Sequence, residues 1–200
     1  MESKAKVASH AAHPMLVVFP LGLLATAVIF DVLYLVTDQA MWTQVAYYMI
    51  GAGIIGGLAA AIPGTIDFLA IPRGTRARRI GLIHGVGNVL VLGLFILSWL
   101  LRRDAPGAPA TEAIVAGLAG AGLAAITGWL GGELIERLGV GVDDGAHLDA
   151  PSSLSELPAG AATGASSRSS MSHGYTGAER RHYPQPPYAG VERRLHAAPG

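Results

Sequence analysis

The chain has 200 residues, of which 51% are hydrophobic and 14% charged, a balance that excludes an ordinary soluble domain, where about a quarter of residues carry charge. Its 14 Lys and Arg offset its 14 Asp and Glu, so net charge gives no basis for a nucleic-acid partner or an acidic substrate. With no Cys, a disulfide, a thiolate metal site, an iron–sulfur cluster and a cysteine nucleophile are all excluded.

Residues 1–14 form a short N-terminal segment, and four apolar stretches follow at 15–36, 45–71, 80–101 and 113–135. At about 1.5 Å of rise per residue, each is long enough to cross a hydrocarbon core of about 30 Å. Backbone polar groups in lipid must be satisfied within the segment, and no strand-like alternation is present, so helices are expected rather than a barrel. The predicted class is all-α: an integral membrane four-helix bundle over 15–142. The first stretch also has features of a secretory signal, with Lys4 and Lys6 before it and Ala25-Thr26-Ala27 inside it. The apolar run continues through Val28-Ile29-Phe30 to Val36, longer than a signal core, and predicts a mature helix. Pro20 and Pro63 each remove one helical hydrogen bond and predict kinks.

Orientation follows from the basic residues. Lys4, Lys6, Arg73, Arg76, Arg78, Arg79 and Arg137 flank one side of the predicted bundle, against only Arg102 and Arg103 on the other. The positive-inside rule then puts both termini in the cytoplasm. Trp42, Tyr47, Tyr48 and Trp99 gather at the opposite level, as an aromatic belt would.

From residue 143 the composition changes to Ser, Gly, Ala and Pro with scattered charge, and 143–200 is expected to be a disordered cytoplasmic tail. Its pairs Arg180-Arg181 and Arg193-Arg194, near Tyr175, Tyr183 and Tyr188, suit contact with an anionic membrane surface or a solvated spacer; nearby Glu residues favour the spacer. His147, His173, His182 and His196 are too dispersed for a metal tract.

Glycines four apart, Gly53 and Gly57, Gly81 and Gly85, and Gly128 and Gly132, predict faces for close helix packing, within the bundle or against a partner. GAGIIGG lies inside a helix and cradles no phosphate, and no nucleophile elbow is present.

Chemistry is sought among the ionisable residues at membrane depth, each a candidate site because insertion costs a few kcal/mol. Asp67 stands four residues before the end of the second predicted helix and His84 four residues after the start of the third. Asn88 shares a face with His84, one turn on. With His13 before the first helix and Glu133 near the end of the fourth, four helices bring His13, Asp67, His84 and Glu133 to one level. Two imidazoles and two carboxylates suit Zn, Mn or non-haem Fe. The favoured reading of the same residues is helix bonding, with Asp67 to His84, Glu133 to an Arg such as Arg78 or Arg137, and His13 capping or anchoring at the interface. Haem b ligation between two spanning helices ranks below both, since it needs facing histidines and only His84 lies well inside a span. Asp31, near the opposite end of the first helix, is expected to reach interfacial water or to pair with Arg102 or Arg103.

The runs HPMLVVFPLGLLATAVIFD from His13 to Asp31 and GTIDFLAIP around Asp67, the His84 and Asn88 pair, and GWLGGELIERLGVGV from Gly128 to Val142 resemble a bacterial family of small membrane proteins, domain-of-unknown-function family 2231. The resemblance covers about residues 10 to 145 and implies polar positions at His13, Asp31, Asp67, His84 and Asn88. Where many relatives have Tyr-Arg-His-Gly, this chain has Glu136-Arg137-Leu138-Gly139, one histidine fewer.

The expected protein is thus a multi-pass inner-membrane protein without assigned catalysis, in contact with lipid and with a membrane-protein partner or a second copy. The expected role is a structural or accessory subunit of a membrane assembly, the alternative is a small redox or metal- or haem-handling protein, and a third reading is a proton or ion transporter. The last ranks lowest, since no polar stripe links Asp31 to the His13 end.

Overall fold

The computed structural model describes residues 1–155 and 157–161. Four helices dominate: α1 Ala12–Thr37, α2 Ala40–Ala70, α3 Arg76–Leu101 and α4 Thr111–Gly132, the last continued by a π-helical turn, Glu133–Arg137. All four, with α4 counted through Arg137, are long and apolar enough to cross a membrane. The fold is the expected all-α membrane bundle. All four helices begin two to five residues before their apolar stretches, taking polar residues into their first turns. In α3 these are Arg76, Arg78 and Arg79 behind an N-cap at Thr75, whose Oγ1 accepts from the Arg78 amide at 3.1 Å.

Pro14 in the first turn of α1 costs no hydrogen bond, since that amide has no helical partner. Pro20 and Pro63 lie inside continuous helices. Pro20 packs against α2, where a methyl group added at Gly56 would meet its Cδ at 3.2 Å. Of the tail expected over 143–200, residues 143–155 and 157–161 form turns, bends and irregular chain, and the rest of the expectation lies outside the described residues.

Residues 1–11, expected only as a flank, fold back onto the bundle. Two-residue strands Lys6–Val7 and His10–Ala11 pair antiparallel across Ala8 and Ser9, both with positive φ, as a tight primed hairpin requires.

The helices pack mainly as two hairpins, α1 on α2 and α3 on α4, with sparser contact between them. The hairpins are internal repeats. A shift of 71 positions carries His13 onto His84, Leu21-Gly22-Leu23 onto Leu92-Gly93-Leu94 and Asp31 onto Arg102. A shift of 67 carries Gly53 onto Gly120 and Gly64 onto Gly131. Contacts repeat with the residues. A methyl group on Gly53 would meet Leu24 at 2.6 Å and Leu23 at 3.5 Å; on Gly120 it would meet Phe95 at 3.0 Å and Leu94 at 3.4 Å. Both hairpins start at the same end, so they are related by a pseudo-two-fold along the bundle. Leu24, Ala27, Ala46, Ile50, Val91 and Phe95 form the core between them.

Glycine spacing was a partial guide to this packing. Gly53, Gly57 and Gly81 face close neighbours, Leu24, Leu92 and Phe68. Gly85, Gly128 and Gly132 meet nothing within 4 Å, while Gly87, Gly120 and Gly131 make the close approaches on α3 and α4. A four-residue spacing identifies a face without saying whether it points inward or into lipid.

Candidate functional site: two histidines from two hairpins

His13, in the first turn of α1, turns toward α2, where its Nδ1 lies 2.8 Å from the Ala60 carbonyl. His84, in α3, turns toward α4, where its Nδ1 lies 2.8 Å from the Thr127 carbonyl. These carbonyls are themselves equivalent under the repeat. Each ring lies against a glycine one turn beyond that carbonyl: a methyl group on Gly64 would stand 2.8 Å from His13 Nδ1, and one on Gly131 would stand 3.0 Å from His84 Cε1. The glycines make room for the imidazoles.

A carbonyl can only accept, so each Nδ1 carries the proton and donates it. In the neutral ring the Nε2 lone pair is then left as the donor to any metal. A backbone partner that fixes the ring in this way is the outer-shell support seen for metal-bound histidines. The two rings stand 6.4 Å apart, centre to centre, with their planes at 89°. Asn88 braces the second. Its Nδ2 donates to the His84 carbonyl at 2.8 Å and its Oδ1 accepts from Thr127 Oγ1 at 3.2 Å. That Nδ2 lies 3.4 Å from His84 Nδ1 and 3.3 Å from Nε2, nearly equidistant and so out of line with the Nε2 lone pair.

The two carboxylates expected beside these histidines have other partners. Asp67 receives the N-terminal segment: Oδ1 accepts from the Lys4 amide at 2.7 Å and the Ala5 amide at 3.1 Å, while Ser3 Oγ lies 2.9 and 2.8 Å from its two oxygens. An Asp67–His84 hydrogen bond is therefore not what joins α2 to α3. Glu133 pairs with Arg76 at 2.7 Å rather than with Arg78 or Arg137. Arg78 instead caps α2, donating to the Phe68 and Ile71 carbonyls with its guanidinium 3.9 Å over the Phe68 ring. Among the described residues no three His, Asp or Glu side chains are grouped to hold a metal ion. The structure brings together His13 and His84, with Asn88 behind them, and separates Asp67 and Glu133.

Around the same end, Lys6 bridges Glu2 at 3.1 Å and Asp143 at 2.6 Å. The hydrogen bond and charge of Lys6 hold the Glu2 carboxyl below its ordinary pKa, and those of Asp143 and Glu2 raise the Lys6 ammonium.

Asp31 is not at interfacial water. It is buried and held by Arg102, Nη1 to Oδ1 at 2.7 Å and Nη2 to Oδ2 at 3.0 Å. The guanidinium also donates to Thr43 Oγ1, Ser98 Oγ and the carbonyls of Ser98 and Ala113, so all four helices meet on it. Arg102, one residue past the third predicted helix, is fully buried at the C-cap of α3. Among the belt aromatics, Tyr47 stacks on Trp99 with 5.4 Å between centres.

A four-helix membrane protein of two related hairpins, with a histidine pair at one end and a buried ion pair at the other, is the class that fold and site define. The model of a family described as a predicted membrane protein, domain of unknown function 2231, matches residues 9–144, and the chain belongs to that family. No curated protein and no solved structure matches it.

Proposed function

We propose that this is a small redox or metal-handling membrane protein whose centre is ligated by His13 and His84. One observation carries the reading: both imidazoles commit Nδ1 to a neighbouring helix carbonyl and keep Nε2 for a ligand, from equivalent places on two hairpins. Elemental analysis of gently purified protein tests the reading, with one equivalent of iron or another transition metal expected per chain and none in His13→Ala or His84→Ala. Wild-type protein that holds no metal and takes up none would contradict it.

The centre is placed at the cytoplasmic face of the inner membrane, with both termini cytoplasmic. Burial of Arg102 supports that orientation, because it leaves Arg103, beside Asp104 at 3.3 Å, as the exposed basic residue of the opposite loop.

A second reading, an accessory subunit of a membrane assembly or a homo-oligomer, is favoured by Gly85, Gly128 and Gly132, which leave backbone open to a partner helix. Leu substitutions at Gly128 and Gly132 test it by the size of the detergent-extracted complex, which shrinks if α4 docks there. Transport has least support, since the guanidinium at the far end spends its donors within the bundle.

A further inference from the structure

We infer that the group held by His13 and His84 is a protohaem, haem b, standing between the two hairpins with the imidazoles as its axial ligands; the inference rests on the two-histidine reading above. A metal–nitrogen bond of about 2.0 to 2.1 Å, with about 1.2 Å from that nitrogen to the ring centre, puts two trans imidazole centres about 6.4 to 6.6 Å apart. The rings here are 6.4 Å apart.

The donor count points the same way. A bare ion would find two protein ligands, since no third His, Asp or Glu is grouped with the pair among the described residues. Structural zinc takes four protein ligands and catalytic zinc three. A porphyrin brings four nitrogens of its own and asks the protein only for the two axial positions.

The surroundings suit a flat apolar ring. The two histidines come from α1 and α3, and the neighbouring helices carry small residues beside the imidazoles, Ala60 and Gly64 on α2 and Gly131 on α4. Hairpin packs on hairpin less tightly than helix on helix within a hairpin, and a flat group between hairpins interrupts the sparser contacts.

The ring planes give a signature. Axial imidazoles near 89° to each other produce a highly anisotropic low-spin ferric signal with one dominant large-g feature, unlike the three-line rhombic signal of parallel rings. The test is haemin titration of the full chain in detergent, followed by absorption and electron paramagnetic resonance, with Fe²⁺ and Zn²⁺ alone as parallel probes. The expected result is one haemin per chain, six-coordinate and low-spin, with the anisotropic signal. His13→Gln and His84→Gln keep a hydrogen-bonding side chain toward the Ala60 and Thr127 carbonyls, and each should abolish the low-spin species at equal helical content. Ion uptake lost in the His variants, without haemin uptake, overturns the haem assignment and leaves the two-histidine reading standing. Uptake of neither overturns both. Haemin that stays high-spin, or that the double variant binds as well, also overturns the assignment.

Discussion

Asp31 and Arg102 hold equivalent places on the two hairpins, 18 residues after His13 and His84 respectively, and close on one another as a buried ion pair of two hydrogen bonds. One repeat carries the carboxylate and the other the guanidinium. The repeats are thus alike at the histidine end and complementary at the other. The pair joins α1 to α3 on the pseudo-axis, while Thr43 and Ala113 bring in α2 and α4.

Breaking this pair by half should harm the fold more than removing it. Asp31→Asn or Arg102→Leu leaves a buried partner uncompensated and should cost about 3 to 5 kcal/mol, whereas replacing both with apolar residues of similar size should be near neutral. Unfolding of each variant in mixed micelles checks this. A double variant no better than the worse single would show that the charges do more than satisfy each other.

The glycines beside the histidines should separate site from scaffold. Gly64→Ala and Gly131→Ala each place a methyl group within about 3 Å of an imidazole and should displace it, costing bound metal with helical content kept. Gly85→Ala, with open space at that position, should change neither. Metal content against circular dichroism is the comparison.

Asp67 is a dock for the N-terminal segment. Asp67→Ala and Ser3→Ala remove its hydrogen bonds and should raise hydrogen exchange at Lys4 and Ala5 many-fold while the amides of α2 stay protected. The Lys6 bridges should respond to pH at both extremes. The depressed Glu2 carboxyl contributes above its ordinary value of 4.5 and loses that contribution as pH falls through its lowered pKa. The raised Lys6 contributes below 10.5 and is lost as pH rises through its raised value. Docking monitored by proteolysis of the segment should therefore be flat from about pH 5 to 9. Both groups are exposed, so the effects are small.

The chain has no Cys, so single Cys substitutions report sidedness cleanly. Ser9, Thr75 and Ala150 variants should be labelled from the cytoplasm, and Gln39 and Pro106 variants from outside. Outside labelling at Thr75 would reverse the orientation.

The four spans were legible because twenty-odd apolar residues in a row have few other physical outcomes. His13 and His84 were legible as ionisable residues at membrane depth, but their mutual facing was not, because level along a helix is readable and azimuth is weakly so in a helix apolar on all sides. A signal lay in the sequence: His, seven residues, Leu-Gly-Leu, seven residues and a charge occur from 13 to 31 and again from 84 to 102. Read as a repeat, it places the histidines together and selects Arg102 over Arg103 for Asp31. Asp67 was misjudged because its partners come from the backbone amides of Lys4 and Ala5, which have no signature in composition.

The most direct test of the central claim, that His13 and His84 are two ligands of one centre, is rescue by free imidazole. His13→Gly and His84→Gly leave ring-sized cavities beside Gly64 and Gly131. Each variant should lose the metal centre and regain it, with the wild-type spectrum, when imidazole is supplied. Retention of the full centre by either variant without imidazole, or failure of imidazole to restore it in both while the bundle stays folded, would contradict the account.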